Sequence, residues 1–84
     1  MTLDEVDELL RRARAASERG ELAYGRTQHY AALSALNDAL MALDAWRSSL
    51  SPEAARDMGA RTRLHDIDSL EQRYSALARR GPVP

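Results

Sequence analysis

The sequence predicts an all-α fold: a small antiparallel three-helix bundle, made of a helical hairpin plus a third helix. Three observations predict it. Leu33, Leu36, Leu40 and Leu43 repeat at alternating intervals of three and four, the spacing of one face of a packed helix. Acidic residues followed by arginines open the chain, in the order that complements a helix dipole. A Ser-Pro-Glu restart at Ser51 introduces a further amphipathic stretch.

The first helix starts at Thr2, with Glu5 three residues later at capping-box spacing. Met1 and Val6 stand where a hydrophobic staple would place them. Leu3, Val6, Leu10 and Ala13 form its apolar stripe, with Leu9 beside it, and Gly20 is a natural stop. The second helix covers at least Ala31 to Ser48. Ala32, Ala35, Ala39, Ala42 and Trp46 widen its leucine face with mostly small residues that let a neighbouring helix approach closely. This most hydrophobic segment is expected at the centre of the fold. The third stripe consists of Leu64, Ile67, Leu70, Tyr74 and Leu77, with Gly59 as a point of kinking or division. Arg79 and Arg80, then Gly81 and Pro82, end it. The expected organisation is a single helical domain over 1–80 and a flexible tail over 81–84.

Composition narrows the function classes. A chain of 84 residues is one domain at most. It has no cysteine, so disulfides and thiolate metal sites are excluded. His29 and His65 are far apart in sequence, and no metal or other cofactor is expected. The formal net charge of −1 argues against a strongly basic nucleic-acid binder. No apolar run approaches the length of a membrane span, and no signal-type segment opens the sequence. A cytoplasmic protein with no membrane partner is therefore expected. All twelve basic residues are arginine, while Phe is absent and Ile and Asn occur once each. That bias is the imprint of a GC-rich coding genome, as in some bacteria and their phages.

No catalytic arrangement emerges. There is no Cys nucleophile, glycine-rich phosphate loop or Ser-His-acid order. Carboxylates alternate with arginines at helix-pair spacing, as on a solvated, ion-paired face. His65, Asp66 and Asp68 resemble a His-Asp metal pair but lack the distant ligands such a site needs. Ala55 and Gly59 have the spacing of a helix-turn-helix turn. The would-be recognition helix, however, mixes Arg61 and Arg63 with Asp66, Asp68 and Glu71, which disfavours a phosphate-facing role.

The stretch from Gly20 to Leu33 departs from this plain helical pattern. Two glycines frame it, and Tyr24, His29 and Tyr30 crowd around them. Gly20 to Thr27 read as a helix–helix connection or as a glycine-softened start to the second helix. Residues 21–30 also allow a short β-hairpin, because Glu-Leu-Ala-Tyr alternates and Thr-Gln-His-Tyr returns after Gly-Arg. Tyr24, Arg26, His29 and Tyr30 are the expected partner-binding residues at one end of the bundle, with Trp46 as a further anchor.

Gly20, Tyr24, Gly25, Arg26, Thr27 and Tyr30, followed by Leu33, Leu36, Leu40 and Leu43, give residues 2–46 their one family resemblance. The order resembles small phage head–tail joining proteins of the gpW-like class, in which a short hairpin separates two antiparallel helices. The resemblance implies a non-enzymatic connector that assembles as a ring in the virion. The sequence thus points to a protein–protein interaction or assembly subunit whose partner is another protein, itself, or both. The alternative is a stand-alone helical binder, such as a secretion-type chaperone subunit or a phage-encoded inhibitor. A helix-turn-helix-like DNA-binding regulator ranks third.

Overall fold

The computed structural model describes residues 1–83. Among them are four helices: α1 (Leu3–Leu22), α2 (Gly25–Ser49), the single turn α3 (Pro52–Ala55) and α4 (Met58–Arg80). The three long helices form a small all-α bundle. Antiparallel α1 and α2 make the hairpin, and α4 returns beside both. The pairs Asp7–Arg63 and Arg14–Asp66 run in step along α1 and α4, so those two helices are parallel. The bundle is elongated, with principal extents of 46 × 19 × 16 Å.

Local chemistry explains where each helix begins. Thr2 caps α1: its hydroxyl oxygen accepts from the Glu5 backbone N–H at 3.2 Å. The same hydroxyl lies 3.2 Å from a Glu5 carboxylate oxygen, to which it donates. Ser51 caps α3 by accepting from the Ala54 N–H at 3.1 Å, with Pro52 at the first helical position. Asp57 then caps α4 by accepting from the Gly59 and Ala60 N–H groups. The third helical segment is therefore divided at Arg56–Asp57 by a competing cap, and Gly59 lies within the first turn of α4.

One boundary differs from the sequence expectation, and one that the sequence left open is fixed. Helix α1 runs past Gly20 to Leu22. Gly20 is buried in the helix, where its missing side chain permits close approach: a Cβ there would lie 3.0 Å from Leu77 Cδ1 and 3.6 Å from Ala32 Cβ. Helix α2 begins at Gly25, well before Ala31. Residues 21–30 consequently contain no hairpin. Glu21 and Leu22 finish α1, Ala23 and Tyr24 connect, and everything from Gly25 is helical. A two-stranded hairpin is marginal in water, whereas extending both helices satisfies their backbone groups internally.

The remaining backbone groups of the connection find other partners. The Tyr24 N–H donates to the Gln28 side-chain oxygen at 3.0 Å. The Gly25 N–H donates to the Val83 carbonyl at 3.2 Å. Gly25 has φ +75°, a left-handed value that favours glycine. Gly81, Pro82 and Val83, assigned by sequence to a tail, are half-buried, and Val83 makes an isolated parallel bridge with Tyr24. Arg80 closes the same end by donating to the Gly20 and Glu21 carbonyls at 3.2 and 3.3 Å. Pro84, the remainder of the expected tail, lies outside the described residues.

The core contains Val6, Leu10, Ala13 and Ala16 from α1, Leu33, Leu36, Leu40 and Leu43 from α2, and Ala60, Ile67, Leu70 and Leu77 from α4. The leucine seam thus sits at the centre of the bundle, with Leu36 and Leu43 wholly inaccessible.

Candidate protein-interaction surface

The turn between α1 and α2 gathers large apolar side chains that the bundle does not cover. Leu22 is 77 % exposed, Tyr24 70 % and Tyr30 58 %. Leu22 projects from the last turn of α1, Tyr24 is the N-cap residue of α2, and Tyr30 lies in the second turn of α2. Of these three, Leu22 also lines a groove of about 450 Å³, together with Arg19, Ala23, Gln28, Ala31 and Ala32. Arg26 is exposed at the same end. Among the described residues, neither Arg19 nor Arg26 takes part in an ion pair.

Three of the expected partner-binding residues, Tyr24, Arg26 and Tyr30, are therefore on the surface at one end. The other two require correction. His29 is buried at 1 % exposure and Trp46 at 5 %, so neither faces a partner in this structure. For His29 the cause is the early start of α2, whereas Trp46 packs on the leucine face that its spacing already assigned to it. Once the helix begins at Gly25, the three-four rhythm of Leu33, Leu36, Leu40 and Leu43 extends back to His29. His29 becomes the first member of the seam. Its ring meets Tyr30 edge-on at 5.5 Å, and its Nδ1 is buried without a hydrogen-bond partner. Trp46 lies seventeen residues further along the same helix, about 25 Å away, and packs in the core cluster at the opposite end.

Leu22, Gln28 and Ala31 were missed by sequence reasoning. Reading Gly20 as a stop removed Leu22 from any helix face. Leaving the start of the second helix open before Ala31 left Gln28 without a position on a helix face. Extrapolating the leucine rhythm by one turn would have placed His29 inside and Tyr30 outside.

Elsewhere several charged side chains are engaged structurally. Arg63 donates to both Asp7 oxygens at 2.8 and 2.9 Å and to the Gly59 carbonyl. Asp66 accepts from Arg14 at 2.9 Å. Arg47 reaches Asp44, Asp68 and Glu71. The hydrogen bonds from Arg63 hold the Asp7 carboxyl below its ordinary value, and those from Arg11, then Arg12, lower Glu8 to about 2. Of the residues that resemble a metal pair or a recognition helix, Arg63, Asp66, Asp68 and Glu71 thus tie α4 to the hairpin, while Arg61 and His65 are exposed. Among the described residues, no group of three or more His, Cys, Asp or Glu side chains is disposed to hold a metal ion. No helix there is long and apolar enough to cross a membrane.

No protein-family model, curated protein or solved structure matches this chain significantly.

Proposed function

We propose that the chain is a non-enzymatic protein–protein interaction or assembly subunit, and that it meets its partner through the hairpin end. The observation that supports this reading is the exposure of Leu22, Tyr24 and Tyr30 at one end of the bundle. Large apolar side chains gathered on a surface are a feature of interaction sites, and tyrosine is enriched among the residues that carry binding energy. Arg19 and Arg26, with the exposed Glu18 and Glu21, give the patch an edge of both charge signs, so the partner surface carries apolar groups with a mixed-charge rim. The most specific form of the reading is a phage head–tail connector-like subunit in the virion, as the gpW-like resemblance of residues 2–46 implies.

The purified chain, immobilised, tests it in extract of the source cells. One protein is expected to be retained in fixed stoichiometry and lost with the Tyr24→Ser, Tyr30→Ser double variant. Both positions are exposed, so the variant is expected to keep its helical circular dichroism. Equal retention by the variant would remove the hairpin end as the interface. Electron microscopy of the complex separates the two forms of the reading: rings support a connector, and a discrete one-to-one complex supports a stand-alone binder.

A further inference from the structure

Among the described residues, three of the four helices bring their own N-terminal cap. The side chains of Thr2, Ser51 and Asp57 accept from first-turn N–H groups of α1, α3 and α4. The N-cap residue of α2 is Tyr24, whose side chain makes no such bond. Gln28 reaches back to the Tyr24 N–H. The Gly25 N–H, at the first position of the helix, can have no intrahelical partner. Its acceptor is the Val83 carbonyl at 3.2 Å, beyond the end of α4.

The segment that supplies this carbonyl is built to close on the turn. Gly81 ends α4 at φ +74° and ψ −177°, a region essentially reserved for glycine. A Cβ at Gly81 would meet nothing within 4 Å, so conformation rather than crowding calls for the glycine. Pro82 follows. Its fixed φ lowers the entropy cost of ordering the segment, and its missing N–H leaves the segment less able to pair. Val83 then lies beside Tyr24 in a single parallel bridge. Before the glycine, Arg80 donates to the Gly20 and Glu21 carbonyls. Gly81, Pro82 and Val83 are only half-buried. So few ties on so little buried surface make a unit that opens locally while the leucine seam stays closed.

We propose that Gly81–Val83 is a latch that caps α2 from outside the helix and regulates the hairpin-end surface by fixing the Tyr24 backbone. Closed, it holds Tyr24 extended at φ −100° and ψ 131°, with the side chain 70 % exposed. Open, it leaves the Gly25 N–H to water and frees the short connection between α1 and α2 to rearrange. The closed chain is the binding form, and partner affinity scales with the closed fraction. That the surface meets a partner rests on the assembly reading above. The latch is a property of the chain alone, so the two are measured separately.

The experiment is amide hydrogen exchange, read by NMR, on the full chain with position 81 varied. One variant is Gly81→Ala. The other, made by chemical synthesis, carries D-alanine at that position. L-alanine is strained at these angles, whereas D-alanine is relaxed, because the mirror image of the Gly81 conformation is an ordinary extended one. In the unmodified chain the Gly25 amide is expected to exchange more slowly than in an unstructured peptide. Gly81→Ala should speed that exchange at least about fivefold, with the Leu36 and Leu40 amides unchanged. The D-alanine chain should exchange at Gly25 no faster than the unmodified one. The residues flanking the Gly25 amide are the same in all three chains, so its intrinsic rate does not change. In extract of the source cells, Gly81→Ala should retain less partner than the D-alanine chain.

An unprotected Gly25 amide in the unmodified chain overturns the latch. So does equal acceleration by L- and D-alanine, which would assign the effect to the lost glycine rather than to its backbone angles. Acceleration that reaches Leu36 and Leu40 would mean that the bundle opens as a whole, and also overturns it. Equal partner retention by the two alanine chains, with Gly25 exchange different, overturns the regulatory role. If the unmodified chain retains no protein, the assembly reading fails, and the exchange rates still decide the latch.

Discussion

Leu36 and Leu43 have no solvent exposure at all, and their role follows from volume. Replacing Leu36 by alanine removes packed methyl groups and leaves a cavity that neighbouring helices fill only in part. The expected loss is about 2–5 kcal/mol, measured by denaturant unfolding. Ser17 has the opposite expectation. It is buried in mid-helix with a hydroxyl that finds no hydrogen-bond partner. Ser17→Ala removes an unsatisfied polar group and substitutes a better helix former, so a gain of about 1 kcal/mol is expected, read as a higher Tm. His29 is the less replaceable case, because its ring fills seam volume that a smaller residue would leave empty. At this scale the sequence was legible wherever type and position agreed, as for the leucines. It misled at His29, where a polar residue occupied an apolar position, and was silent on Ser17. His29 and Ser17 are polar by composition and interior by register, and only the register of the packed helix decides which counts.

Each helix start carries its own signal, and Thr2 and Ser51 were readable because a cap needs only nearby residues. The division at Asp57 was less readable, since Gly59 was the more obvious breaker. Two side-chain–backbone hydrogen bonds made Asp57 the stronger determinant. Along α1, Glu8 and Asp7 are ion-paired carboxylates whose folded-state pKa values lie below their ordinary ones, Glu8 at about 2. A lowered carboxylate pKa means the folded chain holds fewer protons than the unfolded chain in acid. The associated stability is complete above the ordinary Glu value of 4.5 and is lost as pH falls towards 2. Thermal melts across that window should show a falling Tm, with a shallower fall in Glu8→Gln and in Asp7→Asn. Both groups are exposed, so the effect is modest and salt should reduce it. An unchanged acid slope in both variants would show that these pairs do not contribute to folding.

The whole molecule depends on how closely three helices meet at the hairpin end. Gly20 faces Ala32 of α2 and Leu77 of α4, and Arg80 and Val83 tie the end of α4 to the turn. Gly20→Val should push Leu77 away and loosen α4 at that end, at a cost of about 1–3 kcal/mol. Hydrogen exchange should then accelerate in the last turns of α4 while the centre of α2 stays protected. Uniform acceleration through α2 would mean that α4 and the hairpin open as one unit. The same assembly of helices sets the exposed surface. With Leu77 and Arg80 against one side of the turn, Leu22, Tyr24 and Tyr30 have no intramolecular cover.

The sequence by itself determined the all-α class, the leucine seam, the first and third caps and the antiparallel connection of α1 to α2. Those properties depend on residue spacing and on groups a few positions apart, which the chain order specifies. Tertiary structure decided that Gly20 is a contact rather than a stop, that α2 starts as early as Gly25 and so carries His29 into the interior, and that the end of α4 closes on the turn. These follow from distances between residues a dozen or more positions apart. A glycine that ends an isolated helix can remain inside one when Ala32 and Leu77 need the space of its missing side chain. A histidine suited to the surface is buried when the helix that carries it starts one and a half turns earlier than its leucines announce.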